Sequence, residues 1–163
     1  MLKALLAGIA TVLVSFSLVA TASAATGLQT FDFFGSGPPG TPRTVAASGP
    51  ISGVGTVVIG SDVAGPGGTR IATTTWGFRE GSVFVTLTYT FQPSFDPHTC
   101  MESSYLTGTW RITGATGRYA GATGSGTFSG PNSVYYRRTA SGCSSNAYLH
   151  VTRFRFWGIA TVI

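Results

Sequence analysis

Beyond residue 24 the chain alternates. From Val83 to Phe91, one parity carries Val83, Val85, Leu87, Tyr89 and Phe91, and the other carries Phe84, Thr86, Thr88 and Thr90. Successive side chains of a strand point to opposite faces, so this run predicts a strand with one buried and one wet face. Val151–Phe156 behaves alike, with Phe154 and Phe156 opposite Arg153 and Arg155. No window after residue 24 sustains the i, i+3, i+4, i+7 apolar spacing of a helix. Glu and Lys are scarce, while Thr, Val, Gly and aromatics dominate, a strand-forming vocabulary. The pattern predicts strands at Leu28–Phe34, Val45–Ile59 (bent at Gly53 or Gly55), Thr69–Phe78, Val83–Phe91, Ser104–Thr113, Thr123–Ser129, Ser133–Thr139 and Tyr148–Thr161. Turns are expected at 35–40, 64–68, 79–81, 93–99 and 130–132, where Gly, Pro, Asn, Asp and Glu cluster. About eight strands with mostly short connections fit an all-β fold, an antiparallel eight-stranded barrel filling 25–163.

The first 24 residues follow another logic. Lys3 gives a positive start, Leu5–Val19 are uncharged, and Ala22-Ser23-Ala24 is a small-residue cleavage pattern. Together these predict a cleaved secretory signal peptide over 1–24. The apolar stretch is short for a membrane span of roughly 20 residues. No later stretch is long and apolar enough to span, so the expectation is an exported protein, secreted or in the cell envelope.

Composition narrows the class. The chain has 163 residues, 43% hydrophobic and 9% charged, with 12% aromatics; disordered chains are usually charge-rich and aromatic-poor. The 23 glycines keep no three-residue period, which excludes collagen. The formal net charge is +5, one unit of it from Lys3 in the leader. The arginines are scattered, with only Arg137-Arg138 and Arg153/Arg155 close together, so no basic run marks a nucleic-acid partner.

Residues 108–130 carry a seven-residue repeat, Gly114-Ala-Thr-Gly117 and Gly121-Ala-Thr-Gly124. An odd spacing would put the copies on opposite faces of one strand, so they are expected on either side of a reversal. Gly114, Thr116, Gly117, Gly121 and Gly124 then form a structural turn motif, with Arg118-Tyr119-Ala120 as its cap. A dinucleotide fingerprint would need a helix at the glycines and a later acid; no acid follows Glu102. The run Gly114-Ala115-Thr116-Gly117-Arg118-Tyr119 after a strand, then Gly124-Ser-Gly126, resembles the allene oxide cyclase-like and dirigent-like barrels, above all their uncharacterised secreted bacterial relatives. Ala115 stands where the family has a second glycine. Cys100 and Gly108–Thr113 upstream resemble the same relatives. The resemblance implies an eight-stranded barrel with an interior pocket. In the plant enzymes such a pocket binds an oxidised fatty acid and steers its cyclisation, and in dirigent proteins it steers phenoxy-radical coupling. None of their functional residues carries over to a position here.

Cys100 and Cys143 are the only cysteines, and export makes a disulfide the default. With His98 and His150 they could instead offer two Cys and two His to zinc, but the spacings match no finger or ribbon; no metal and no cofactor is expected. No Gly-x-Ser-x-Gly elbow precedes a helix. Asp62, Glu80 and Asp96 fall in expected turns, whereas Asp32 and Glu102 lie at strand positions. Glu102 and Arg111 are the weak catalytic candidates: sharing the lumen, Arg111 could hold an anionic head, and the alternative is a surface ion pair. Trp76, Tyr89, Tyr105, Trp110, Phe154 and Phe156 are the candidate ligand-binding residues, with plain core as the alternative.

Three functions stay open. The first is a binding module for a small hydrophobic or amphipathic ligand inside the barrel. The second is an isomerase or cyclase that works by positioning its substrate. The third is a structural interaction protein of the cell envelope.

Overall fold

The structure, a computed structural model, describes residues 24–163; the expected signal peptide lies outside them save for its final residue. Nine strands follow in chain order: β1 Ala25–Gly37, β2 Arg43–Ser48, β3 Gly53–Ala64, β4 Arg70–Phe78, β5 Gly81–Phe91, β6 Ser94–Asp96, β7 Met101–Ala115, β8 Thr123–Thr139 and β9 Gly142–Val162. All pair antiparallel, and pairing of β5 with β7 closes eight of them into a barrel, with β6 an added ribbon on β7. Closure leaves the barrel strands no free edge.

Two departures from the predicted strands offset each other in the count. Val45–Ile59 is two strands, parted at Gly49–Ser52. Gly49 sits at φ +128° and Gly53 at φ +114°, backbone that favours glycine, and Pro50 lacks the N–H a ladder needs. Conversely, the expected turn at 130–132 is the middle of β8, which pairs with β7 and β9 on either side. Pro131 is exposed and faces Tyr105. Pairing along two long neighbours outweighs the one donor that proline removes.

The lower barrel is filled. Phe31, Val45, Val57, Trp76, Val83 and Trp110 are buried there, and Phe31 meets Trp76 and Trp110 edge-on at 4.6 and 5.4 Å. Ile51, from the β2–β3 turn, plugs the bottom with Tyr119, whose hydroxyl donates to the Ser52 carbonyl at 3.1 Å. Gln29 is fully buried and satisfied: its amide donates to the carbonyls of Thr30, Ser48 and Ile51 and accepts from the Ile51 N–H.

The glycine repeat lies at this end. Its first copy ends β7 and enters a 3-10 turn, Gly117–Tyr119, and its second copy leads into β8. Gly117 and Gly121 have φ of +62° and +80°. A Cβ on Gly117 would strike the Glu80 carbonyl, and Arg118 beside it pairs with Glu80 at 2.9 Å. The motif thus docks the β7–β8 connection onto the β4–β5 hairpin.

At the upper end a disulfide joins Cys100 to Cys143, with Cα atoms 5.4 Å apart. It fastens the β6–β7 loop to the start of β9. This removes both sulfurs from any zinc set, and among the described residues no group of His, Cys, Asp and Glu is arranged to hold a metal. Among them too, no helix is long and apolar enough to cross a membrane.

Candidate functional site

The upper barrel is hollow. A cavity of about 360 Å³ opens toward the end that carries the β1–β2, β3–β4 and β8–β9 turns, within the size range of small-molecule sites. Its walls are largely apolar: Trp76, Phe33, Leu106, Phe128, Phe154 and Phe156 surround the deep part. Phe128 and Phe156 stack at 4.7 Å, and Trp76 meets Phe156 edge-on at 5.2 Å. These side chains come from inward positions on β1, β4, β7, β8 and β9, so strand alternation alone brings them together.

Two polar stations interrupt the apolar wall. The first lies on β3–β5. Asp62 accepts from the Tyr89 hydroxyl at 2.7 Å and from Arg70 Nε at 2.8 Å. Its inward aim depends on a bulge. Ile59 pairs with Thr74 and Ser61 with Thr73, leaving Gly60 as the extra residue, and the inward parity passes from Val57 and Ile59 to Asp62. Burial, and then the bond to Asp62, push the Tyr89 phenol up to about 12. The Asp62 bond also raises Arg70 above the ordinary arginine value. Both charges of this station are compensated.

The second station is not. Arg43 at the start of β2 is buried, and burial pulls its pKa below the usual arginine value, though a guanidinium stays ionised at neutral pH. Its Nη1 has no hydrogen-bond partner among the described residues, and neither does Thr152 Oγ1 on β9. Gly35 on β1 lies between them. A Cβ there would sit 2.5 Å from Arg43 Nε and 2.8 Å from Thr152 Oγ1, so only glycine lets the arginine cross β1. Asn132, which donates to Ser104 Oγ at 3.3 Å, continues the polar row, and His150 stands beside it on β9. Burial, and then the Arg43 charge, hold the His150 pKa below its ordinary value, with Glu102 opposing them.

The third buried side-chain polar atom without a partner is Trp76 Nε1. Arg43, Thr152 and Trp76 all line this one cavity. Elsewhere among the described residues, buried side-chain donors and acceptors are satisfied, as native interiors require.

The candidate residues from sequence divide accordingly. Trp76, Tyr89, Phe154 and Phe156 line the cavity. Trp110 does not: it is buried below, donating to the Trp157 carbonyl at 3.2 Å. Tyr105 is 59% exposed on the outer face, with its hydroxyl on Ser129. Glu102 and Arg111 are nine positions apart on β7, an odd number, and face opposite ways. Glu102 is half-buried and accepts from the Tyr136 hydroxyl at 3.4 Å, while Arg111 is exposed on the outer surface. They form neither a lumenal nor a surface pair; Asp32, also outward, pairs with Arg155 at 2.8 Å. The sequence reading missed Arg43, Asp62, Arg70, Asn132, His150 and Thr152. The readable signals were the glycines: Gly60 inside a strand marks a bulge, and Gly35 marks a close crossing. Compared with known proteins, the chain matches no protein-family model, no curated protein and no solved structure.

Proposed function

We propose that the chain is an exported barrel that binds a small amphipathic molecule in its upper cavity. One observation carries this reading: among the described residues, the three buried side-chain polar atoms that lack partners all belong to residues lining a single, mostly apolar cavity. A buried polar group left unmet costs about 1–3 kcal/mol, and all three belong to residues around one hollow, where a ligand's acceptors can meet them in place of water. The apolar wall favours a hydrocarbon or aromatic body, and the unmet N–H groups favour oxygen acceptors on it. The disulfide and the leader-like first 24 residues support export. The closed barrel, with Gly114–Tyr119 at a β7–β8 turn, supports kinship with the allene oxide cyclase-like and dirigent-like barrels, proposed here on that motif. Native mass spectrometry of protein purified from its own host, with organic extraction of what it carries, tests the reading. A co-purifying amphipathic molecule that protects Trp76 fluorescence from quenchers is the expected result; an interior that takes up no apolar probe would end it.

A second reading, an isomerase or cyclase, is favoured by the Tyr89–Asp62–Arg70 cluster facing the cavity. Enantiomer ratios of products from epoxy-fatty-acid and phenoxy-radical substrates test it, and a ratio equal to that in buffer would remove it.

A further inference from the structure

We infer that Arg43 and Thr152 form the head-group site for a carboxylate, so that the cavity's ligand is an apolar molecule ending in a carboxylic acid. The inference rests on the cavity being a ligand site and adds which chemistry it selects.

Arg43 is 6% exposed and, among the described residues, lacks a bonded partner at Nη1. The ion pairs among the described residues are Arg70–Asp62, Arg118–Glu80 and Arg155–Asp32; none neutralises Arg43. Taking an ion out of water costs several kcal/mol unless an opposite charge and hydrogen bonds offset it, so a buried guanidinium without an acid is an unfinished pair. The two stations of the cavity differ in this respect. Asp62 already balances Arg70, whereas on the β2–β1–β9 side no acid among the described residues bonds Arg43: Glu102, whose charge reaches His150, accepts from the Tyr136 hydroxyl instead.

The geometry of that side suits two oxygens on one carbon. Arg43 Nε and Thr152 Oγ1 lie 2.5 and 2.8 Å from the place a Gly35 Cβ would take, so the two side chains are neighbours over Gly35; both line the cavity, and among the described residues the Arg43 Nη1 N–H and the Thr152 hydroxyl are unmet. Carboxylates take such paired donors, and charge-assisted bonds are roughly twice as strong as neutral ones. His150 nearby carries no competing positive charge at neutral pH, because burial and Arg43 hold it neutral. The stacked Phe128 and Phe156 and the edge of Trp76 lie deeper, where a hydrocarbon tail extends away from the polar rim.

The test compares dodecanoate, 1-dodecanol and dodecyltrimethylammonium, each below its micelle concentration, by intrinsic tryptophan fluorescence and calorimetry on the full mature chain. Dodecanoate is expected to bind at least about tenfold more tightly than the alcohol, which is about 1.4 kcal/mol, and the cation most weakly. Arg43→Gln is expected to shrink the acid–alcohol difference to within about twofold. Thr152→Val, which keeps the guanidinium, is expected to lower acid affinity alone. Equal binding of acid and alcohol by the wild-type protein would overturn the carboxylate site yet leave the cavity reading standing. Binding of none of the three probes would overturn both. Acid affinity unchanged in Arg43→Gln would also overturn the site.

Discussion

The phenol of Tyr89 on β5 donates to the carboxylate of Asp62 on β3 at 2.7 Å, spanning the whole width of β4. Only inward-facing groups reach over an intervening strand in this way, so the bond records the bulge that turned Asp62 into the lumen. It also sets an alkaline limit. Tyr89 keeps its proton in the folded chain up to about 12, against 10.0 for an ordinary tyrosine. Its contribution to stability is therefore whole below pH 10 and is lost as pH rises toward 12, worth up to about 2–3 kcal/mol. Tyr89→Phe should abolish that part of the alkaline loss. Spectrophotometric titration should show one tyrosine ionising later than the rest in wild type and none so late in the variant.

His150 sets the opposite limit. Its folded pKa lies below the ordinary 6.5 through burial first and the Arg43 charge second. The unfolded chain takes the proton more readily, so this residue's contribution is present above pH 6.5 and is lost as pH falls through the lowered folded value. Nitrogen-resolved NMR should place its titration below 6.5, and Arg43→Gln should move it upward. No movement would show that the two side chains do not sense each other.

The disulfide closes a separation of 43 residues. In the chain-entropy account that restraint on the unfolded state is worth about 4 kcal/mol. Cys100→Ser with Cys143→Ser should lower unfolding free energy in urea by up to that amount and leave the β-sheet circular dichroism signature in place. A loss below about 1 kcal/mol would mean the upper end holds itself together without the crosslink.

Trp110 sits over two glycines. A Cβ at Gly126 would lie 2.7 Å from its Nε1, and one at Gly158 would lie 2.8 Å from its Cζ2. Gly126→Ala should destabilise the barrel by about 1–3 kcal/mol, the usual cost of overpacking, and leave ligand uptake by the folded fraction unchanged, since Trp110 is below the cavity. Urea titration paired with probe binding measures both.

Ala72, buried on β4, is a small side chain on the cavity wall. Ala72→Phe should fill the hollow and cut binding of apolar probes by more than about tenfold, with a stability change of about 1–3 kcal/mol at most. Undiminished binding would place the probe elsewhere.

Much of the barrel was legible locally. Val83–Phe91 and Val151–Phe156 state their own inner and outer faces, because a side-chain period of two needs no partner to be read. Where the reading failed, distant pairing overrode local chemistry. Gly130-Pro131-Asn132 has turn composition and is strand because β7 and β9 flank it; Val45–Ile59 reads as one strand bent at Gly53 or Gly55 and is two, parted by the plug that carries Ile51. At the site, Phe154 and Phe156 were found from alternation. Asp62 was not: the pattern ends the strand at Ile59 and puts Asp62 in a turn, whereas β3 runs on to Ala64 and the extra residue at Gly60 turns Asp62 inward. Glu102 and Arg111 were paired by charge although their odd separation keeps them on opposite faces.

The sequence alone determined the strand-rich class, the faces of the regular strands, the reversal at the glycine repeat and, through its two cysteines, the crosslink. These depend on near neighbours or on having no alternative partner. The tertiary structure decided that the ring closes between β5 and β7, that the upper half is hollow, and that the Arg43 side chain crosses Gly35 on the Thr152 side, with no ion-pair partner among the described residues. Those outcomes join residues of β2, β1 and β9, whose adjacency is set by strand order and register, and no local pattern encodes either.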